Sequence, residues 1–362
     1  RDQLPVFPAG TVAGFNIARP TLLDVDVLPG LVLKTYLNGT LQETSTAGNL
    51  LAVGTGLLTG SNAQQVSFLT SQPFDTVQLQ VGGLVGVATT TRVYQAVIEQ
   101  FCTGPALSCN TQTPILPTDY PVIVNGQHTG LGVGVCVGCG VLNASNLLTT
   151  DSTDYATIRL TAGVLTRGAV AVKDVLSDYP AGTFAGFVIE NPSLLGVDLL
   201  SGVLIRTYKD NVLQETVDAS SGALLSVDAA LLTGSSGKRQ VGFISSLSFD
   251  EVQIEVVNLL GVLSETRVYY AMFQSFCAGA SPPCGTNTVL SQPSYPVLID
   301  QTRSGVTGLL CALCAVNQTQ QVIDADPNNY ATINLVAGVL ATGSISVRDA
   351  VTDYPAGMFA GF

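Results

Sequence analysis

Apolar and polar residues alternate along the chain in short runs rich in Val, Ile, Thr and Tyr, broken by Gly, Pro, Asn and Asp. A period of two over five to eight residues is the pattern of a strand with one buried face, whereas helical spacing with caps is nearly absent. In the middle of the chain the alternation predicts eight strands, at 155–161, 169–173, 184–190, 203–209, 212–217, 239–245, 251–257 and 266–276. Eight strands are enough for two packed antiparallel sheets, so the predicted fold is an all-β sandwich. Within VLIRTYKDNVLQETV the pair Asp210-Asn211 tolerates the left-handed backbone that a tight hairpin needs, and LVLKTYLNGTLQET carries Asn38-Gly39 at the same place. The Leu-rich stretches 193–202 and 222–234 lack clean alternation and read either as buried strands or as loops that plug the ends of the sandwich.

The pattern repeats. FPAGTVAGF at 7–15 returns as YPAGTFAGF at 179–187 and as YPAGMFAGF at 354–362, 172 and then 175 residues further on. A period that long exceeds a solenoid coil, so each unit can bury a core of its own. Matching TDYATIRLTAGVL in the middle to NNYATINLVAGVL near the end divides the chain into five parts. These are the C-terminal part of one sandwich at 1–102, a connector at 103–135, a complete sandwich at 136–277, a second connector at 278–310, and the N-terminal part of a further sandwich at 311–362. Arg1-Asp2 aligns with Lys173-Asp174 and Arg348-Asp349, in mid-repeat, so the chain is expected to be cut from something longer. A part-sandwich leaves apolar faces and strand edges uncovered, and a strand-complementing copy is one way to cover them.

Charged residues make up only 11% of the chain against 46% hydrophobic, and 14 basic against 26 acidic residues give a formal charge of −12. There is no Lys/Arg cluster to neutralise phosphates, which argues against nucleic acid as a partner. No run of 18 apolar residues occurs, so no membrane insertion is expected of this segment. Duplication favours reach, stiffness or multivalent contact over catalysis, because a catalytic site need occur only once.

Eight cysteines stand at recurring positions: Cys102, Cys109, Cys136 and Cys139, then Cys277, Cys284, Cys311 and Cys314. The spacing, C-x6-C, a gap of 26, then C-x2-C, reads as two disulfides per repeat in an oxidising compartment, with three connectivities open. Cys102 with Cys109 and Cys136 with Cys139 is one; bridges across the connector are the others. A four-thiolate zinc site is the alternative, but one C-x6-C and one C-x2-C per repeat do not match a ribbon's two C-x2-C knuckles, and the helix N-terminus and βαβ setting of thioredoxin-like exchange are not visible.

Catalytic constellations are thin. His128 is the only histidine and has Thr302 or Arg303 near its place in the other copy, so it reads as a solvated loop residue and not as part of a repeated triad. Glu43, Asp75, Glu215, Asp250 and Glu251 recur near equivalent places; as acids at turns and strand ends they read as solvating groups rather than a glycosidase pair. Arg92 and Arg267, in TRVY, are expected to pair with an acid such as Asp75 or Asp250. Asn38, Asn143 and Asn317 open N-x-S/T triplets.

The loop VIDADPNNYATI, then YPAGTFAGFVI, the hairpin and SFDEVQIEV together resemble repeat modules of very large surface adhesins of Bacteroidota, some of the gliding-motility class and exported by the type IX system. The resemblance implies galactose-binding-like jelly rolls in an extracellular, non-enzymatic structural segment that partners with neighbouring repeats and with surface glycans. It also implies O-glycosylation at Thr76 and Ser152, in Asp-Thr-Val and Asp-Ser-Thr, and calcium near Asp324 and Asp326. The central copy offers Thr149, Asp151, Thr153 and Asp154 there, so a turn held by Asx side chains competes with the metal. The expected role is the stalk of an adhesin or filament, with disulfide-stapled connectors giving stiffness and roughly 40 to 50 Å of length per unit. A carbohydrate-binding array, or an accessory region of a secreted polysaccharide-active enzyme, is the alternative; a chain with no Trp and 11 Tyr offers few stacking platforms for sugar.

Overall fold

In a computed structural model of the chain, the described residues are 6–18, 30–46, 50–54, 63–82, 90–132, 136–151, 153–161, 166–190, 202–218, 221, 223–228, 238–257, 264–300, 303–308, 314–336 and 341–362. Half of the described residues are in strands, and every strand pair among them is antiparallel. The first part holds β1 (Thr11–Ala18), β2 (Leu31–Leu37), β3 (Thr40–Thr46), β4 (Leu51–Gly54), β5 (Ala63–Leu69), β6 (Thr76–Val81) and β7 (Arg92–Gln100). The middle holds β8 (Gln112–Pro114), β9 (Val122–Val124), β10 (Gly130–Leu131), β11 (Gly140–Leu142), β12 (Ala156–Leu160), β13 (Arg167–Asp174) and β14 (Phe184–Glu190). It continues through β15 (Val203–Lys209), β16 (Val212–Asp218), β17 (Leu225–Asp228), β18 (Arg239–Ile244), β19 (Glu251–Val257) and β20 (Ser264–Gln274). The last part holds β21 (Val297–Ile299), β22 (Gly305–Thr307), β23 (Ala315–Asn317), β24 (Thr332–Asn334), β25 (Thr342–Ser344) and β26 (Val347–Asp349).

Two sheets make the central unit. One runs β10-β13-β19-β15-β16, with β9 also on β13; the other runs β11-β12-β20-β14-β18-β17, with β8 also on β20. Alternate residues of both sheets meet in one core: Ile158 and Leu160 of β12, Val170 and Val172 of β13, Ala185 and Phe187 of β14, Ile254 of β19 and Phe273 of β20. A sandwich is the stable answer for strands patterned this way, because each sheet has an apolar face that only the other can cover. Hairpin β15–β16 turns through Asp210 (φ 50°) and Asn211 (φ 64°), and β2–β3 through Asn38 (φ 51°) and Gly39 (φ 79°). Both central residues are left-handed, as a two-residue hairpin turn of primed type requires.

The outer parts repeat pieces of the same plan. In 1–102, β4-β5-β1-β7 reproduces β17-β18-β14-β20, and β3-β2-β6 reproduces β16-β15-β19. Toward the other end, β21-β26 and β22-β25 reproduce β9-β13 and β10-β13, and β23-β24 reproduces β11-β12.

Two expectations change. The stretch 103–135, read as a connector, belongs to the sandwich: β8 pairs with β20, β9 and β10 pair with β13, and Ile115, Tyr120, Val122 and Val124 are buried in the central core. The complete unit therefore opens near Cys109, not at residue 136, and 278–310 likewise carries β21 and β22 of the following unit. These strands are two or three residues long, too short for alternation to register. Of the Leu-rich stretches, Leu225–Asp228 forms β17, while 229–234 and nearly all of 193–202 lie outside the described residues.

Candidate functional site

The residues that bring distant parts of the chain together lie where one unit hands over to the next. Cys109, at the opening of the central unit, is bonded to Cys277 at its close, 168 residues away with Cα atoms 5.4 Å apart. Asn110 takes a left-handed backbone (φ 56°) that turns its side chain onto the same strand end. Its amide accepts from the Cys277 N–H (2.9 Å) and donates to the carbonyls of Cys277 (3.1 Å) and Pro293 (3.0 Å), the last in the following unit. Its own backbone N–H donates to the Ser275 carbonyl at 2.7 Å. Start and finish of the unit are thus latched covalently and by three hydrogen bonds, with a fourth reaching the following unit, and six residues separate Cys277 from Cys284.

This pairing corrects the grouping of cysteines. Cys109 finds its partner in what the sequence presents as the other set, because the two ends of a sandwich lie side by side although they are remote in the chain. Cys102 and Cys284, expected in disulfides, are exposed free thiols. Cys136 and Cys139 are joined to each other, Cys314 is disulfide-bonded, and Cys311 lies outside the described residues.

The connecting residues pack. A Cβ on Gly104 would stand 2.7 Å from the Tyr120 ring, and one on Gly279 would stand 2.2 Å from the Tyr295 ring, so both short links lie flat on the tyrosine that opens the next unit. The Tyr295 hydroxyl donates to the Ala280 carbonyl at 3.0 Å. At the second handover Phe184 and Leu225 of the central unit form a buried cluster with Leu298 of the next, joined by Phe276 and Ala350. At the first, the equivalents of Phe184 and Leu298, Val12 and Ile123, line one cleft of ≈ 450 Å³. In both places the strand at the sheet edge, β4 or β17, approaches a 3-10 turn of the following unit, Ala144–Leu148 or Thr319–Val322. The link-on-tyrosine packing and the approach of the edge strand to the turn are therefore built twice, whereas Phe184 and Leu298 pack where Val12 and Ile123 flank a cleft.

The recurring carboxylates hold loops. Glu215 accepts from the N–H and hydroxyl of Ser246 (3.1 and 2.6 Å) and the N–H of Leu247 (3.2 Å); Glu43 accepts from the same groups of Ser71 and Gln72. Asp250 and Asp75 each accept the N–H that opens the hairpin tip, from Asp210 (3.0 Å) and Asn38 (2.7 Å). Asp250 also meets the Lys173 ammonium at 2.9 Å. Arg267 pairs not with Asp250 but with Glu190 at 3.2 Å, its neighbour across β14 and β20, while Arg92 is exposed. Tyr269 donates to the same Glu190 oxygen at 2.6 Å, and this bond draws the Glu190 carboxyl below its ordinary range.

His128 is not a solvated loop residue. Its ring stacks on Tyr208 with centroids 3.9 Å apart, and Nδ1 lies 2.7 Å from a fully buried oxygen of Glu251, whose other oxygen accepts from Asn125 at 2.7 Å. Sequence reasoning missed this cluster because the first copy has Thr76 in place of Glu251, and the next has Asp300 and Arg303 in place of Asn125 and His128. Asp300 and Arg303 pair with each other instead.

Asp174 is 2% exposed and accepts from Leu176 N–H (2.9 Å), Ser177 N–H (2.8 Å) and the Tyr179 hydroxyl (2.9 Å); Asp349 repeats the motif with Val351, Thr352 and Tyr354. Burial raises the Asp174 carboxyl above the usual range, and its three hydrogen bonds offset only part of that rise. A raised carboxyl binds its proton more tightly in the folded chain, so the associated stability is present below about pH 4 and is lost as pH rises through the folded value. Asp174→Asn keeps an oxygen for both N–H donors and removes the titration. The stability of the native chain relative to this variant should fall as pH rises, and denaturant midpoints compared between pH 3 and 7 check it; a parallel pair of curves would refute it.

Of the remaining expected sites, Thr76 sits at an exposed strand start with its hydroxyl donating to Asp75 at 2.8 Å, and Ser152 lies outside the described residues. Asp324 and Asp326 accept from their own loop: Asp324 from the N–H of Asp326 and the amide of Asn329, Asp326 from the N–H of Asn328. Among the described residues no group of three or more His, Cys, Asp or Glu side chains is placed to hold a metal ion, and no helix is long and apolar enough to cross a membrane. The disulfides fit folding in an oxidising compartment. No protein-family model matches this chain, and no curated protein matches it.

Proposed function

We propose that the chain is a structural repeat segment of a long extracellular bacterial surface adhesin or filament stalk, giving reach, stiffness and multivalent attachment. The observation that carries this reading is the handover itself: at both joints the link glycine rests on the equivalent tyrosine and the edge strand approaches the equivalent 3-10 turn, which favours units stacked as a rod over beads on a flexible thread. Stiffness comes from packed links and latched unit ends, where the sequence pointed to disulfides across long connectors. The order β12-β20-β14-β18 facing β13-β19-β15-β16, with most successive strands alternating between sheets, supports reading each unit as a jelly roll. The use of the recurring acids as loop and hairpin acceptors favours a structural over a hydrolytic role.

Antibodies raised against residues 109–277 test the reading on the producing cells. Gold label strung along unbranched surface threads, with an axial repeat of roughly 40 to 50 Å set by one sandwich, is the expected image. Label confined to the cell interior, or to dispersed soluble particles, would overturn it.

A further inference from the structure

Cys136 and Cys139, three apart in sequence, close a turn at the entry to β11, and their surroundings treat the two sulfurs differently. Cys139 packs against the central core, while Val137 at the tip is 87% exposed and Gly138 takes the left-handed backbone (φ 82°) that completes the turn. Thr161, just past the end of β12, serves both sulfurs. Its backbone N–H donates to Cys139 Sγ at 3.2 Å, and its hydroxyl, which donates to the Val137 carbonyl, lies 3.2 Å from Cys136 Sγ. An N–H aimed at sulfur stabilises a thiolate far more than a disulfide sulfur, and a hydroxyl oxygen whose hydrogen is already committed is an acceptor for a thiol S–H. Both sulfurs of the opened pair therefore have partners in place: Cys139 as thiolate on the Thr161 N–H, Cys136 as thiol on the Thr161 hydroxyl oxygen. The long bridge is set differently. The side-chain amide and backbone N–H of Asn110, beside Cys109–Cys277, donate to the carbonyls of Cys277, Pro293 and Ser275 and not to sulfur. They hold the two strand ends together, which favours re-closing that bridge whenever it opens.

We propose that Cys136–Cys139 is a thiol–disulfide exchange site that takes a low-molecular-weight thiol of the cysteine or glutathione class at Cys136, with Cys139 as the leaving sulfur held by Thr161. The incoming thiolate bonds to Cys136 Sγ as the Sγ–Sγ bond breaks, and the electron pair of that bond leaves on Cys139, where the Thr161 N–H receives it. A second thiol displaces Cys136 from the mixed disulfide. The protein disulfide has then gained two electrons and two protons, and two small thiols have become one small disulfide. Thioredoxin-like sites draw the same stabilisation from a helix N-terminus; here the residue that ends a strand supplies it. Direction follows from burial, since Cys139 lies against the core and Cys136 does not. In the next repeat Val336 stands where Thr161 does, so Cys314 has no hydroxyl at that place. The site is complete within the central unit and is independent of the stalk reading.

The test uses the full chain carrying Cys102→Ser and Cys284→Ser, so that exchange starts from a bridge and not from a free thiol. The protein is equilibrated at neutral pH in cysteine–cystine buffers of stepped ratio, quenched with acid, alkylated and mapped by peptide mass. The expected result is that Cys136–Cys139 is half open at a ratio of squared thiol to disulfide about tenfold or more below the one that opens Cys109–Cys277. Short incubations should trap cysteine on Cys136 and not on Cys139. Thr161→Val, which installs the residue of the next repeat, should raise the ratio needed by about fivefold, the worth of one hydrogen bond, and Thr161→Ser should restore it. Neither variant should move Cys109–Cys277. Opening of the two bridges at the same ratio, cysteine trapped equally on Cys136 and Cys139, or equal midpoints for Thr161→Val and Thr161→Ser would overturn the proposal.

Discussion

Replacing Cys109 and Cys277 together by serine should lower the stability of the central unit by about 5 kcal/mol, the loop-closure entropy of a ring of this length. That is comparable with the whole stability of an ordinary domain, so the unit should sit close to unfolding at 37 °C. The bond closes 168 residues, whereas Cys136–Cys139 closes three, and the same entropy argument gives the small ring far less to remove from the unfolded chain. Replacing Cys136 and Cys139 by serine is therefore the control, expected to cost about 2 kcal/mol or less. Urea unfolding of the two double variants, followed by hydrogen exchange in β14 and β20, separates the outcomes. Equal midpoints for both variants would contradict the latch, as would unchanged protection of β20 beside Ser275 when the long bridge is gone. Asn110 should not substitute for the bond, since its hydrogen bonds depend on the strand end that the disulfide holds in place.

Phe249→Ala is the second large effect, expected at about 3 to 5 kcal/mol. Phe249 is fully buried between the sheets, with its ring 5.6 Å from Tyr179 and 5.2 Å, edge to face, from Phe273; Tyr179 and Phe273 meet at 4.5 Å. Its backbone exchanges both hydrogen bonds with Tyr179, so the surrounding chain is pinned and cannot collapse into the void. Truncation removes transfer energy, leaves a cavity and takes away two ring contacts. The counterpart Phe74 meets one ring, Phe7 at 5.3 Å, because Ile98 stands where the central unit has Phe273. Phe74→Ala should therefore cost less in its own unit than Phe249→Ala does in the central one. Thermal melts of both variants check the order, and a larger loss at Phe74 would show that ring contacts are not what sets the difference.

Much of the sandwich was legible in the chain. Three predicted strands coincide with β14, β15 and β19, because side chains at i and i+2 face one core and i+1 faces away, which is a local property. The hairpin tips were legible for a similar reason: Asn-Gly and Asp-Asn are among the few pairs that adopt two successive left-handed residues. The repeat placed the units, although it blurred where each begins. YPVIV at 120–124 and YPVLI at 295–299 recur in register and carried the missing signal for β9 and β21, but a three-residue strand has no period to read.

Alternation, turn chemistry and self-similarity, each written in neighbouring residues or in direct comparison of copies, specify an antiparallel β protein of recurring units with left-handed hairpin turns. Packing of the two sheets is what joins Cys109 to Cys277, gives Arg267 to Glu190, rests His128 on Tyr208 against Glu251, and folds the links onto Tyr120 and Tyr295. Each of those contacts joins residues that are far apart in sequence or on different strands. The order of strands in the two sheets chooses among the possible partners, and spacing along the chain carries no record of that order.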